Sequence, residues 1–401
     1  MSLAGNAIVA QSGGPSAVIN QSLVGVVQGL RGQKGIGKVL GARHGVRGMT
    51  KADLIDLTEI PQDRLELVAA TPSSALGSTR DKPDRAYCER VLDTLKKNDI
   101  RYFFYIGGND SSDTCRIISE MARATAYEMV AYHVPKTVDN DLEKNDHTPG
   151  YASAARYVAT AFIGDSLDNR ALPGIKINVI MGRHAGFLTA AAALARFRDD
   201  DGPHLVYVPE VKFDLDRFVG EVDRIYTKLG RCHIAVSEGI EDKDGVQIGA
   251  KLIQNADKDA HGNVQLSGSG ALGDGLADLL KQKLTPAGGK PPRTRADTFG
   301  YAQRYWPDPS PVDAREAREV GRFAAACALK GEKPDGSIAI QRASKIGEPY
   351  KASIVRVELT DVAAKTRHLP KEFIDGTSGV TPAFCDWLRP LVGELPRIGW
   401  L

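Results

Sequence analysis

A cation, a hydroxyl and two carboxylates fall within six residues in Lys136-Thr137-Val138-Asp139-Asn140-Asp141. That set suits phosphoryl transfer. An ammonium holds phosphate oxygens, one carboxylate takes the proton of an attacking hydroxyl, and the other orients it or helps hold a hard cation. Upstream, Gly107-Gly108-Asn109-Asp110 combines two glycines, which let backbone approach a phosphate, with two oxygen-bearing side chains able to meet magnesium. The same Asn and Asp serve equally well as a helix N-cap. Gln11-Ser12-Gly13-Gly14 precedes a helical stretch, where main-chain N–H groups can face an anion. It matches neither G-x-G-x-x-G nor the Walker pattern, so taken alone it fits a tight turn at least as well.

Elements around these loops determine whether they can act together. The apolar runs at residues 102–106 and 129–134 read as buried parallel strands. The loops after them therefore leave the carboxyl ends of strands, where open α/β sheets bind ligands. The chain begins strand–loop–helix, with a strand over residues 7–10 and a helix from about 17 to 29. A short strand at 39–40 follows. Tyr87, Val91, Leu92 and Leu95 recur at helical spacing and predict a helix over 84–97. Helices are expected over 112–124, 151–167, 184–196 and 215–228, alternating with strands over 175–181, 205–208 and 232–237. Such alternation predicts parallel α/β sheets. Residues 241–292, rich in Gly, Asp, Lys and Ser, read as an insertion with a hairpin and a helix near 276–283. A helix over 312–329 and strands near 337–340 and 353–359 resume the α/β order.

At 401 residues the chain predicts two domains rather than one. A net charge of +2 gives no support for a nucleic-acid or membrane surface. The five cysteines are scattered, odd in number and without metal-ligand spacing, which predicts a reduced, cytoplasmic setting. Residues 1–5 lead straight into a strand without a signal-peptide pattern, and no run is long enough to span a bilayer.

Three further groups carry candidate side chains. Met181-Gly182-Arg183-His184 ends an apolar strand, and Arg183 there suits phosphate or carboxylate recognition, although a lone Arg at a strand end is more often a surface ion pair. Glu238, in Ser237-Glu238-Gly239, can accept hydrogen bonds from sugar hydroxyls or lie on the surface. Arg293, Arg295 and Arg304 surround Phe299-Gly300-Tyr301, either as a sugar-phosphate clamp or as an exposed basic loop.

Taken in order, these segments, with Leu76-Gly77-Ser78-Thr79-Arg80, resemble the phosphofructokinase family from Ala7 to about Leu329. The resemblance implies two Rossmann-like three-layer domains with mostly parallel sheets and an active site in the cleft between them. On this reading residues 1–149 with about 305–365 form the phosphoryl-donor domain. Residues 150–304 with about 366–401 form the sugar-phosphate domain. Asp139 matches the general base for the C1 hydroxyl of fructose 6-phosphate, with Thr137 and Asp141 beside it. Met181, Gly182, Arg183 and Glu238 match sugar-binding positions. Tyr301 and Arg304 match the 6-phosphate end. Arg295 matches an arginine that reaches in from a neighbouring subunit, which implies a homodimer or homotetramer with shared sites. Gly13, Gly14, Arg80 and Gly108 match the donor side.

Two positions bear on the donor. Members that use ATP usually carry glycine where this chain has Asp110 and Lys136, whereas pyrophosphate-dependent members carry Asp and Lys. On that resemblance a carboxylate at Asp110 would lie where the α-phosphate of ATP should go, and two like charges ~4 Å apart at an effective dielectric of ~20 repel by about 4 kcal/mol. Lys136 adds positive charge for pyrophosphate. The resemblance thus implies a reversible, magnesium-dependent conversion of fructose 6-phosphate and pyrophosphate to fructose 1,6-bisphosphate and phosphate, in glycolysis or gluconeogenesis. An ATP-dependent 6-phosphofructokinase is the alternative. The sequence departs from the family in places. Asn109 replaces a usual aspartate, leaving Asn109 and Asp110 as the candidate metal ligands. Tyr301 stands where many members have histidine. A second neighbour-reaching arginine is missing before Met181, with Lys176 the nearest cation.

Overall fold

The computed structural model describes residues 3–252 and 270–400. Part of the expected insertion, residues 253–269, lies outside the described residues. The chain divides into two compact units, Met1–Ala154 with Arg304–Arg367 and Ala155–Gln303 with His368–Leu401. In chain order the principal strands are β1 (Gly5–Gln11), β2 (Ile36–Ala42), β3 (Leu54–Asp56), β4 (Ile100–Gly107), β5 (Val130–Pro135), β6 (Ile175–Ile180), β7 (Leu205–Tyr207), β8 (Cys232–Ser237), β9 (Thr294–Thr298), β10 (Asp335–Arg342) and β11 (Ala352–Val357).

The first unit is built on a seven-stranded sheet in the order β11-β10-β5-β4-β1-β2-β3. Its central pairs are parallel, and only the edge strands β3 and β11 run antiparallel. The sheet is buried on both faces, which explains why its strands read as continuous apolar runs. Along β4, Tyr102, Phe104 and Ile106 enter one core while Phe103 and Tyr105 enter the other, as the period of two requires. One core is closed by helices Ile19–Leu30 and Pro311–Lys330, which bring in Val24, Val27, Val320 and Ala324. The opposite core is closed by helices Arg85–Lys97 and Asn109–Ala124. Arg85–Lys97 buries Cys88, Val91, Leu92 and Leu95 at helical spacing. The carboxylate of Asp84 accepts from the Tyr87 N–H at its start, a cap that contributes about 1 kcal/mol.

The second unit carries a four-stranded parallel sheet in the order β7-β8-β6-β9. Ile175, Ile177 and Val179 of β6 pack with Phe218 and Val222 of helix Leu215–Leu229 and with Leu276 and Leu280 of helix Ala271–Lys283. From the expected insertion, a bridge between Glu241 and Gln247 and the latter helix lie among the described residues.

Several elements differ from the sequence reading. Thr294–Thr298 is an edge strand beside β6, not a loop; its polar side chains leave no apolar pattern to detect. The helix expected over 184–196 is a short helix, Phe187–Ala190, running into a 3-10 turn, Ala191–Ala195. The helix expected from residue 112 begins at Asn109, with Gly108 as its N-cap. Among the described residues, no helix is long and apolar enough to cross a membrane.

Candidate functional site

Register sets the first part of the site. Gln11 of β1 lies opposite Ile106 of β4, and Gly107 opposite Pro135 of β5, so three strands end level and release their loops side by side. Those loops are fastened to one another through main-chain groups. Ser12 N donates to Ile106 O at 2.9 Å, and its hydroxyl lies 2.5 Å from that of Ser111. Gly107 O accepts from Lys136 N and from His133 Nε2, each at 2.9 Å. Burial lowers the pKa of His133 to about 4, so the ring is neutral and can carry its proton on Nε2 toward that carbonyl. Gly107 tolerates no side chain: a Cβ would stand 2.0 Å from the Ser111 hydroxyl and 2.3 Å from that of Ser12.

Gly13 adopts φ +73°, a left-handed conformation that favours glycine. Its N–H donates to Thr79 O at 2.9 Å and its carbonyl accepts from the Ser78 hydroxyl at 2.6 Å, which joins the Leu76–Arg80 loop to the Gly13-Gly14 turn. Lys136 is only 3% exposed and donates from Nζ to Gly14 O at 2.7 Å. A Cβ on Gly14 would meet a guanidinium nitrogen of Arg304 at 2.8 Å. The resemblance matches Arg304 to the 6-phosphate end; the structure places its guanidinium beside the Gly13-Gly14 turn. Burial lowers the Lys136 pKa to about 8, aided by the positive charges of Arg304 and Arg80 and opposed by Asp139 and Asp141. Two arginines and a desolvated ammonium over two glycines are what a small polyanion needs.

The carboxylates follow directly. Asp139 N donates to the Thr137 hydroxyl at 3.1 Å. Asn140, between the two aspartates, is fully buried at φ +58°. Asn109 Nδ2 donates to Asp141 Oδ2 at 3.3 Å, leaving its Oδ1 buried with no hydrogen-bond partner among the described residues. An orphaned oxygen beside a carboxylate fits a hard cation such as magnesium. Asp110 does not join it: its carboxylate pairs with Lys82 at 3.2 Å and stays largely exposed. The structure sets the Asn109 amide beside Asp141 and turns the Asp110 carboxylate toward Lys82, because the first turn of the helix aims the two neighbours apart. Among the described residues, no group of three His, Cys, Asp or Glu is spaced to hold a metal. Magnesium typically takes one or two protein ligands and fills its sphere with phosphate and water.

Within the second unit, Met181, Gly182, Arg183 and Glu238 sit at the carboxyl ends of β6 and β8. Glu238 N donates to Ile180 O at 2.9 Å, and the Ser237 hydroxyl donates to Gly182 O at 2.6 Å. A Cβ on Gly239 would stand 2.0 Å from Arg183 O, so glycine there lets the two loops touch. Glu238 is buried and Tyr301 is 42% exposed. Arg295 lies on β9 opposite Lys176 and 3.7 Å from Asp168, in an exposed pair. Lys176 cannot stand in for the missing arginine, because its ammonium is committed to Asp165 and Asp297. Sequence reasoning passed over Gln303, which is buried and accepts from Met181 N at 3.2 Å, and over Ser111 and His133. Their roles lie in cross-strand partners, for which a single sequence carries no signal.

A family model for phosphofructokinase matches residues 6–328 of the chain. A pyrophosphate--fructose 6-phosphate 1-phosphotransferase of Rhodospirillum rubrum is 53% identical over 392 residues, covering 97% of this chain and 95% of its own. An ATP-dependent 6-phosphofructokinase of Amycolatopsis methanolica is 32% identical over 301 residues, covering 74% of this chain and 62% of its own. Among solved structures, a pyrophosphate-dependent phosphofructokinase from Nitrosospira multiformis superposes with a TM-score of 0.85 at 32% identity, over 99% of this chain and 94% of that one.

Proposed function

The chain belongs to the phosphofructokinase family, and from that premise we propose that it transfers a phosphoryl group from pyrophosphate to the C1 hydroxyl of fructose 6-phosphate. The products are fructose 1,6-bisphosphate and phosphate. The observation that carries the reading is Lys136, whose buried ammonium sits on Gly14 with Arg304 alongside. Those charges match a compact polyanion, while Asp110 puts a carboxylate on the adjoining helix start, against the extra phosphate of a nucleotide. The pyrophosphate-dependent activity of the Rhodospirillum relative supports the same donor.

Asp139 takes the proton of the C1 hydroxyl as its oxygen attacks the distal phosphorus. The P–O bond to the bridging oxygen breaks, and phosphate leaves with the electron pair. Lys136, Arg80, Arg304 and the Gly13-Gly14 amides stabilise the charge that develops on the transferred and leaving groups. Thr137 and Asp141 orient the acceptor. Magnesium, held by Asn109 Oδ1 and Asp141, would neutralise phosphate charge when bound. Met181, Gly182, Arg183, Glu238 and Tyr301 bind the sugar phosphate. Because one phosphoryl bond replaces another, the step runs in both directions. Arg295 is assigned to a neighbouring subunit's site, which makes the active species at least a dimer. Parallel coupled assays with pyrophosphate and ATP test the proposal: turnover with pyrophosphate alone supports it, and a preference for ATP replaces it with the ATP-dependent reading.

A further inference from the structure

The loop that carries Asp139 and Asp141 does not end at the catalytic residues. It returns to its start through Thr148, whose hydroxyl donates to Thr137 O at 2.8 Å, and through a bridge between Thr137 and Gly150. Between these ends the loop is gripped by a charged cluster that the chemistry above does not use. His147 is fully buried; its Nδ1 lies 3.0 Å from Asp146 and its Nε2 2.7 Å from Glu316. Glu316 comes from helix Pro311–Lys330 and also accepts from the Tyr350 hydroxyl at 2.9 Å. The other oxygen of Asp146 faces Arg342 of β10 at 3.3 Å. Arg367 donates its N–H to Asp141 O and its guanidinium to Asp146 O, each at 2.8 Å. Asn140 Nδ2 reaches the same Asp146 carbonyl at 3.5 Å, so the cluster connects to the residue between the two aspartates.

We propose that His147 is a positioning residue for phosphoryl transfer: held between Asp146 and Glu316, its ring fixes the loop that presents Asp139 and Asp141. This rests on the function proposed above. A protonated ring donates at both nitrogens, and both of its neighbours are carboxylates. Burial lowers its pKa, but hydrogen bonds to Asp146 and Glu316 outweigh that and raise it to about 9. The groups around it are Asp146 on its own loop, Glu316 and Asp313 from the helix and Tyr350, with Arg315 against Glu316 and with Arg342 of β10 and Arg367 against Asp146. Loss of the ring proton leaves two carboxylates without the charge between them and loosens the loop.

Two variants test this in the full-length protein. His147→Gln keeps a hydrogen-bonding side chain but no charge. It should lower kcat about tenfold with both KM values within about twofold, since a small misplacement of a base costs rate rather than binding. Glu316→Gln preserves shape and removes one carboxylate that raises the His147 pKa. Its alkaline decline in kcat at saturating pyrophosphate should move to lower pH than in the wild type. Hydrogen exchange over residues 137–150 should quicken in both, a readout independent of turnover. A folded Glu316→Gln protein with wild-type kcat, an unshifted alkaline limb and unchanged exchange overturns the proposal, whether or not His147→Gln folds. If the wild type uses ATP instead, the donor reading falls, and the same comparisons of kcat are made with ATP.

Discussion

Lys136 gives the sharpest quantitative test, because its charge is both needed and opposed. Its pKa falls from the usual 10.5 to about 8, through burial and the nearby Arg304 and Arg80. At about 1.4 kcal/mol per tenfold, that depression corresponds to about 3 kcal/mol of environment unfavourable to the ammonium. Pyrophosphate supplies the missing negative charge, so binding must draw the pKa back up. At pH 7 the free enzyme is then mostly protonated and competent. Above pH 8 each further unit removes about nine-tenths of the competent form. kcat/KM for pyrophosphate should therefore be level near pH 7 and fall with unit slope above about pH 8. kcat at saturating pyrophosphate should hold to higher pH. Lys136→Arg keeps the charge without titrating in this range. Its overall activity should drop, since the fork does not fit a point-charge site, but the limb near pH 8 should vanish. Lys136→Met should lower kcat/KM for pyrophosphate by about 10–200-fold, the value of a charge-assisted hydrogen bond of about 1.5–3 kcal/mol. The ligand's own titration is identical for all three proteins and cancels in their ratio. A limb that persists unchanged in Lys136→Arg, or a wild-type profile flat to pH 10, refutes the assignment of this pKa to donor binding.

Three further outcomes are expected. Asp139→Asn should cut kcat by about 10²–10⁴-fold with little change in fructose 6-phosphate affinity, measured by steady-state kinetics and by equilibrium binding; near-normal turnover would remove Asp139 as the base. Asp110→Gly should raise the ratio of kcat/KM for ATP over pyrophosphate by at least about tenfold, since even half of an about 4 kcal/mol repulsion exceeds that factor; an unchanged ratio shows that Asp110 does not exclude nucleotide. Mixing inactive Arg295→Ala and Asp139→Ala chains should restore activity through hybrid sites, whereas a fully active monomer by light scattering at assay concentration would rule out the shared site.

Much of the candidate site in the first unit could be read in the sequence because its residues follow buried strands. The runs that became β4 and β5 are apolar on both faces, and the loops after them are contiguous, so strand ends and chemistry coincide in the chain. Arg304 is different. Its place beside Gly14 depends on a return of the chain across the first unit that no local pattern records. Asn109 and Asp110 do not converge for a geometric reason: they are helical residues, not loop residues, and adjacent helical side chains point apart. β9 was missed because an edge strand can be polar on alternate positions and still pair. His147 gave no signal at all, since a histidine in a polar loop has meaning only once Glu316 and Tyr350 are brought against it.

The two positions proposed to set the donor are not equivalent in what the fold asks of them. Asp110 pairs with Lys82 in an exposed contact, which contributes about 0–1 kcal/mol. Replacing it with glycine costs at most about 1 kcal/mol of helix propensity near a helix start. Lys136 is buried, and its removal leaves the Gly14 carbonyl without its donor, a penalty of about 1–3 kcal/mol. The same removal relieves the cost of a desolvated ammonium among other cations, so the two effects offset and the loop survives. Its fastening to the strands does not depend on the side chain, because Lys136 N remains bonded to Gly107 O and the Ser12–Ser111 contact is untouched. Donor choice is thus separable from folding at both positions, but by different routes. At Asp110 a repulsion can be deleted at almost no structural cost. At Lys136 an attraction is lost, with compensating changes in a buried site. A change of donor in this framework should therefore begin at Asp110, and a protein carrying Lys136→Gly alone should be folded yet poor with either donor.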